Sequence, residues 1–313
     1  MARRGTLAGR TTADWGIRAV SAILVAWLGY TSVTQSLAYN VRTSATKLAH
    51  DLSPRDGRIT AAWSVELLQP NATGADRKKA EILARTALRQ DPTAVDAVTT
   101  LGLISQIRGD RQSARRLLAY SNTLSRRDLR ARLWMIEESV AREDIPGALR
   151  NYDIALRTSR RASDVLFPVL ASAISDPAIR TSLVKMLASN PAWGNFFISY
   201  AASSSPDLVA DARLFEALTP LRMAMLPEAS AQLIDRMIGQ QRFAQAWAFY
   251  SIINKVVDSK RSRDPNFDLK SVASAFDWRV IDGSGISASF QHAAYQAFFD
   301  FVAASSVGGP VLR

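Results

Sequence analysis

Cysteine is absent from all 313 residues, which excludes a disulfide framework and any thiolate metal site and leaves redox usage silent on compartment. Histidine is nearly absent. His50 and His292 stand far apart, with no local His, Asp and Glu spacing of the kind that holds zinc. There is no phosphate-binding glycine loop and no nucleophile elbow, and Gly283-Ser284-Gly285 reads as a turn. Glu137-Glu138 and Glu143-Asp144 are adjacent acids, but neighbouring positions on a helix point to different faces, so they read as solvated charges. The expectation is no catalytic residue, no metal, no cofactor, and a protein that is not an enzyme.

Acids are also few. Asp and Glu number 28 against 39 Lys and Arg, a net charge of +11, and 32 of the bases are arginine. Guanidinium forks hold phosphates and carboxylates bidentately, which makes anion recognition one reading of the excess; a coding bias is the other. Apolar residues make up 48% of the chain, enough for a large core or two modules.

Charge is missing altogether from residues 19–41. At about 1.5 Å per residue a helix of this length reaches the roughly 30 Å of a bilayer core. Residues 1–18 carry Arg3, Arg4, Arg10 and Arg18 against Asp14, a basic flank that places the N-terminus in the cytoplasm. The expected layout is a cytoplasmic tail over 1–18, a transmembrane helix over 19–41, and the bulk outside: in a bacterium, a single-pass inner-membrane protein facing the periplasm. A secretory signal cleaved at Ser36-Leu37-Ala38 is an alternative with the same destination, and a buried soluble helix is a third.

Beyond that segment a repeat emerges. Ala80, Ala114 and Ala148 recur every 34 residues, each with an aspartate four positions upstream: Asp76, Asp110 and Asp144. Small residues let paired helices approach, and an aspartate in the turn or cap accepts hydrogen bonds from the open amides of the second helix. Leu67, Leu101 and Met135 fall in register as first-helix core positions, Ala84, Leu118 and Tyr152 as second-helix core positions, and Ala87, Ser121 and Ala155 as a second small column. With Leu101-Gly102, Gly109-Asp110, Ala114 and Leu118, the chain over residues 61–161 resembles the tetratricopeptide repeat family. That resemblance implies a solenoid of helical hairpins that binds proteins.

The period then fades. Residues 162–257 still read as helices punctuated by Pro177, Pro191, Pro206, Pro220 and Pro227, a degenerate continuation of the solenoid. Residues 258–275 read as a basic linker. From 276 to 313 the pattern shortens to period two: Phe276-Asp277-Trp278-Arg279-Val280-Ile281 reads as a strand, Asp282 to Gly285 as a turn, residues 286–290 as its partner and 297–303 as a third run. The fold class expected is mainly α, with a transmembrane helix, a solenoid and a short, incomplete β segment. The strand opening Phe276-Asp277-Trp278 after repeat helices resembles bacterial envelope proteins in which such helices precede a β-sandwich, often linked to polysaccharide assembly or export.

These readings converge on a membrane-anchored scaffold for an envelope complex. Between residues 108 and 161, 13 arginines meet 7 acids, and Arg115, Arg116, Arg130 and Arg132 are the candidate contacts for a protein partner, an anionic polysaccharide or a lipid phosphate. The alternative is a carbohydrate-binding module that stacks sugars on Trp278 and Tyr295. Nucleic acid is not an expected partner, because export removes the chain from it and aromatic interleaving is sparse.

Overall fold

The computed structural model describes residues 12–254, 257–267, 274–279, 286–293 and 296–303. The protein is mainly α. In chain order the elements are α1 (Thr12–Val41), α2 (Thr46–Leu52), α3 (Gly57–Glu66), α4 (Gly74–Gln90), α5 (Val95–Ile107), α6 (Arg111–Leu124), α7 (Leu129–Val140), α8 (Ile145–Thr158), α9 (Ala162–Ala173), α10 (Pro177–Leu187), α11 (Gly194–Ser204), α12 (Leu208–Leu218), α13 (Leu226–Gly239), α14 (Phe243–Ile253), β1 (Ile286–Ala293) and β2 (Gln296–Ala303). The chain divides into two compact units, residues 1–135 and 136–313, with the boundary inside α7.

In the first unit α3 packs on α4, α4 on α5, α5 on α6, and α3 also touches α5, the neighbour pattern of stacked helical hairpins. The periodic columns are the inner faces of the second helices. Ala80, Ala84 and Ala87 of α4, and Ala114, Leu118 and Ser121 of α6, are all buried. Gly102 explains why small residues are needed: a Cβ added there would lie 2.6 Å from Leu118 Cγ, so α5 and α6 meet closer than an alanine permits. The caps follow the same logic. Asp110 accepts the amide of Ser113 at the start of α6. Asp76 differs from expectation. It is the third residue of α4 and accepts from the amide and hydroxyl of Thr73, which is the cap, because α4 starts a turn early. The early start pulls α3 forward as well, so Leu67 falls just past the end of α3, and Leu101 and Met135 are only half-buried.

The foot of α1 belongs to this unit. Ala38 is fully buried against Ala49 and Ile59, with Val41 and Leu52 alongside, while α1 from Trp15 onward presents Ile17, Val20, Ile23, Val25, Trp27 and Val33 outward. The segment Trp15–Val41 is long and apolar enough to cross a membrane.

In the second unit the helices form two rows. α8 touches α10, α10 touches α12 and α12 touches α14; in the other row α9 touches α11 and α11 touches α13. The hairpin arrangement therefore continues where the 34-residue columns stop. Ala148, Tyr152 and Ala155 extend those columns on the buried face of α8, and Asp144 caps it through the amide of Gly147. Glu143 is not a solvated helix position: it takes a left-handed conformation, φ 59°, where the preceding repeat has Gly109 at φ 81°. Pro177 and Pro227 each sit in the first turn of a helix, where the missing amide costs nothing.

Residues 276–279 correct the strand expectation. They form a bend closed by the Asp277 amide on the Ser274 carbonyl, 3.0 Å. The cause is Asp277 itself, whose carboxylate is drawn inward to accept from Ser274 Oγ (2.7 Å), Tyr250 Oη (2.7 Å) and Arg263 (2.9 Å). Nor is the described part of 258–275 a free linker, since Arg263 also bonds Asn254 and the Asp264 carbonyl accepts Trp278 Nε1 at 2.9 Å. Residues 280–285 lie outside the described residues. β1 and β2 pair with each other instead, antiparallel from Ile286 with Ala303 to Ala293 with Gln296, the two-stranded sheet among the described residues.

Two substitutions test this packing. Gly102→Ala raises helix propensity by about 1 kcal/mol, yet it is expected to destabilise the first unit by about 1–3 kcal/mol because the methyl strikes Leu118. Glu143→Gly lowers side-chain content, yet it is expected to stabilise by about 1 kcal/mol by relieving the left-handed backbone. Urea unfolding curves read both signs.

Candidate functional site

The turns that join one hairpin to the next recur in sequence. α4, α6 and α8 end at Gln90, Leu124 and Thr158, 34 residues apart, and their extended caps are Asp91, Ser125 and Ser159. After the second and third of these caps come Arg126-Arg127 and Arg160-Arg161, so each of these turns exposes a basic pair at the mouth of the following first helix.

In the first unit such turns border a groove of about 770 Å³ between the starts of α3, α5 and α7, with Arg42, Arg58 and Arg127 at its edge and Asp96 and Asp128 within. The acids are engaged. Asp128 accepts from Thr99 Oγ1 and from Arg130 Nε (3.3 Å), and Arg130 also reaches Asp96. Arg58 holds Asp91 at 3.1 Å, and the hydroxyl and amide of Thr93 together with Arg58 keep that carboxyl below its usual pKa. Arg127 is exposed and has no acid partner among the described residues.

In the second unit a groove of about 690 Å³ lies between the end of α8, α9 and the start of α11. Its wall is aromatic: Phe167 packs edge-on to Phe197 at 5.4 Å and lies 5.6 Å from Tyr200, and Trp193 donates Nε1 to Asp153 at 3.0 Å. Phe196 is different. It stands 71% exposed over the groove, whose lining also includes Arg160, a residue that pairs with no acid among the described residues.

The four arginines singled out from sequence are not brought together. Arg115 and Arg116 are exposed on α6, with Arg116 on Ser113 Oγ at 3.3 Å. Arg130 is held by Asp96 and Asp128. Arg132 is only 2% exposed and bonds Asn122; burial, and to a lesser degree the charge of Arg126, lowers its pKa. As a contact for an external partner Arg132 is corrected to a core residue, because a guanidinium without access to solvent cannot meet a ligand. Trp278 is likewise committed, with Nε1 on the Asp264 carbonyl at 2.9 Å and its ring 5.8 Å from Phe267. Tyr295 lies outside the described residues. His50 bonds Thr60 Oγ1 at 3.1 Å and rests 4.9 Å from Trp63, a packing role in which burial lowers its pKa. Among the described residues no cluster of His, Cys, Asp and Glu could hold a metal ion. Sequence reasoning passed over Phe196, which sits in an apolar run next to the buried Phe197; only the helical phase separates the two.

A further cavity of about 510 Å³ reaches Tyr250, Arg263 and Asp277 between α13, α14 and the segment that closes them. Burial, aided by Asp277, raises the Tyr250 pKa above the ordinary value, so the phenol keeps its proton and donates a hydrogen bond to Asp277. Against models of known protein families and against curated proteins, the chain finds no match.

One ionisable group is out of place. Asp211 of α12 is fully buried, and neither carboxylate oxygen meets a hydrogen-bond donor among the described residues. Desolvation raises its pKa to about 7, the nearby Ser205 hydroxyl and Arg236 charge offset only part of that, and Asp207 adds to it. The folded state then binds a proton that the unfolded chain has lost. Between pH about 4 and about 7 stability therefore falls as pH rises, by about 1.4 kcal/mol per unit, and stays low above. Asp211→Asn is expected to flatten this slope and to melt above the wild type at pH about 8. Thermal melts across the range check it.

Proposed function

We propose that this protein is a non-enzymatic, membrane-anchored scaffold whose tetratricopeptide-like hairpins dock a protein partner in a bacterial envelope. The observation that carries the reading is the groove of the second unit, where an exposed Phe196 and Arg160, which pairs with no acid among the described residues, line the same opening over an aromatic wall. A large exposed aromatic next to a desolvating pocket is the usual form of an interaction hot spot. The chemistry suits a protein segment with one apolar anchor and a flanking carboxylate or phosphate. A neutral glycan suits it less, and Trp278, the indole considered for sugar stacking, is occupied by Asp264 and Phe267.

Anchoring is supported by the foot of α1. A signal peptidase needs an accessible, extended site, but Ser36-Leu37-Ala38 lies inside α1 and Ala38 is fully buried in the core of the first unit. Cleavage there would remove a core residue, so retention is the better reading. The basic N-terminal flank then keeps the N-terminus cytoplasmic and puts the hairpins in the periplasm.

A photocrosslinking residue at position 196 in the full chain, in its native membrane, is expected to yield a discrete adduct that Arg160→Glu weakens several-fold; one charge-assisted contact accounts for a loss of that size. The same residue at exposed Tyr120 is the control. Adducts at position 120 with none at 196 overturn the assignment.

A further inference from the structure

A polar cavity of about 420 Å³ lies at the foot of α1, between Gln35 and Tyr39 on one side and Ser53, Arg55 and Arg58 on the other. We infer that it holds the phosphate of a membrane phospholipid, with Arg55 as the principal donor. The inference rests on α1 being a retained span.

Depth is the first argument. Arg18 marks the charged end of the span, and from there Gln35 and Tyr39 lie seventeen and twenty-one residues along the helix, roughly 26 and 32 Å at about 1.5 Å per residue. A hydrocarbon core of about 30 Å that begins near Arg18 therefore ends at the level of the cavity, where the opposite headgroups lie. The foot of α1 is fixed at that level by the burial of Ala38 against Ala49 and Ile59.

Chemistry is the second. Two acids line the cavity itself, and both are engaged: Asp56 accepts the amides of Arg58 and Ile59 at the start of α3, and Asp91 holds Arg58 and Thr93. Arg55 is exposed and pairs with no acid among the described residues. Its guanidinium fork matches two phosphate oxygens, and Arg42, outside the lining but stacked 4.7 Å from the centre of the Tyr39 ring, is a second cation next to that wall.

The third argument separates a lipid from free phosphate. Asp56 and Asp91 repel a doubly charged anion more than a singly charged one, so the site favours a phosphodiester. Toward the membrane from the cavity, the face of α1 that carries Gln35 and Tyr39 exposes Leu28 and Leu24, apolar surface against which acyl chains would lie and for which an inorganic ion has no use.

The full chain, extracted in mild detergent and offered phosphatidylglycerol, is expected to carry one bound lipid by native mass spectrometry. Arg55→Gln is expected to lower that occupancy about tenfold, the loss typical of one charge-assisted hydrogen bond, while Arg116→Gln leaves it unchanged. Matching thermal melts of the variants exclude misfolding as the cause. Unchanged lipid occupancy in Arg55→Gln overturns the inference, and displacement of the lipid by millimolar inorganic phosphate reassigns the cavity to a free ion and overturns it too. Carbonate extraction of membranes reads the anchor separately. A wild-type chain released by carbonate defeats the span and this site together, whereas a retained chain without Arg55-dependent lipid defeats the site alone.

Discussion

The close approach of paired helices is the constraint on which the rest of this molecule depends. Two helices separated by glycine and alanine gain contact along their whole length, since dispersion falls away over a gap of an ångström or less. Gly102 against Leu118, and the buried alanines of α4, α6 and α8, set that distance. With the hairpin spacing fixed, each inter-hairpin turn takes a fixed place relative to the next first helix. The arginines at those turns then acquire a common position that none of them would have in an irregular bundle.

Burial, more than number, sorts the arginines into kinds. Arg132 and Arg263 are enclosed and bonded to side chains of their own unit, and Arg236 donates to the carbonyls of Ala201, Ala202 and Ser205 at the end of α11. Arg58, Arg108 and Arg130 form exposed or half-exposed pairs, which contribute little to stability individually because water screens them. Arg55, Arg127 and Arg160 have no acid partner among the described residues and supply the positive potential an anionic group would meet. A net charge of +11 says nothing of this division.

Periodicity made the second helices legible in the sequence. Ala80, Ala114 and Ala148 sit at helix crossings where only small residues fit, so the physical demand leaves a mark at each turn of the repeat. First helices were less legible because their inner face accepts anything of the right volume: Ser64, Val98 and Arg132 occupy one buried column. The error at Phe276 to Arg279 has a different origin. An alternating pattern measures local preference, and Asp277 overrides it through four hydrogen bonds from Ser274, Arg263 and Tyr250, the last two distant in sequence and outside any local window. Arg132 misled for the same reason, since its charge advertises solvent while its surroundings enclose it. Phe196 and Phe197 show the limit from the other side: adjacent, chemically identical, one outside and one inside.

The junction at Ala38 ties anchoring to recognition. A span joined by a loose linker would leave the first unit free to tumble, and side chains at its base would meet the bilayer at no defined depth. Here the last turns of α1 are core residues of the first unit, so the helix axis and the α2 and α3 pair are positioned together. Arg42, the residue after α1, both stacks on Tyr39 and edges the groove between α3, α5 and α7. Whatever occupies that groove therefore meets the end of the long apolar helix directly. On the scaffold reading, a retained α1 keeps the chain at the bilayer, where a second membrane-bound protein searches in two dimensions and at a raised effective concentration. A modest groove lined by a few arginines is then enough, because proximity supplies the part of the affinity that contact area does not.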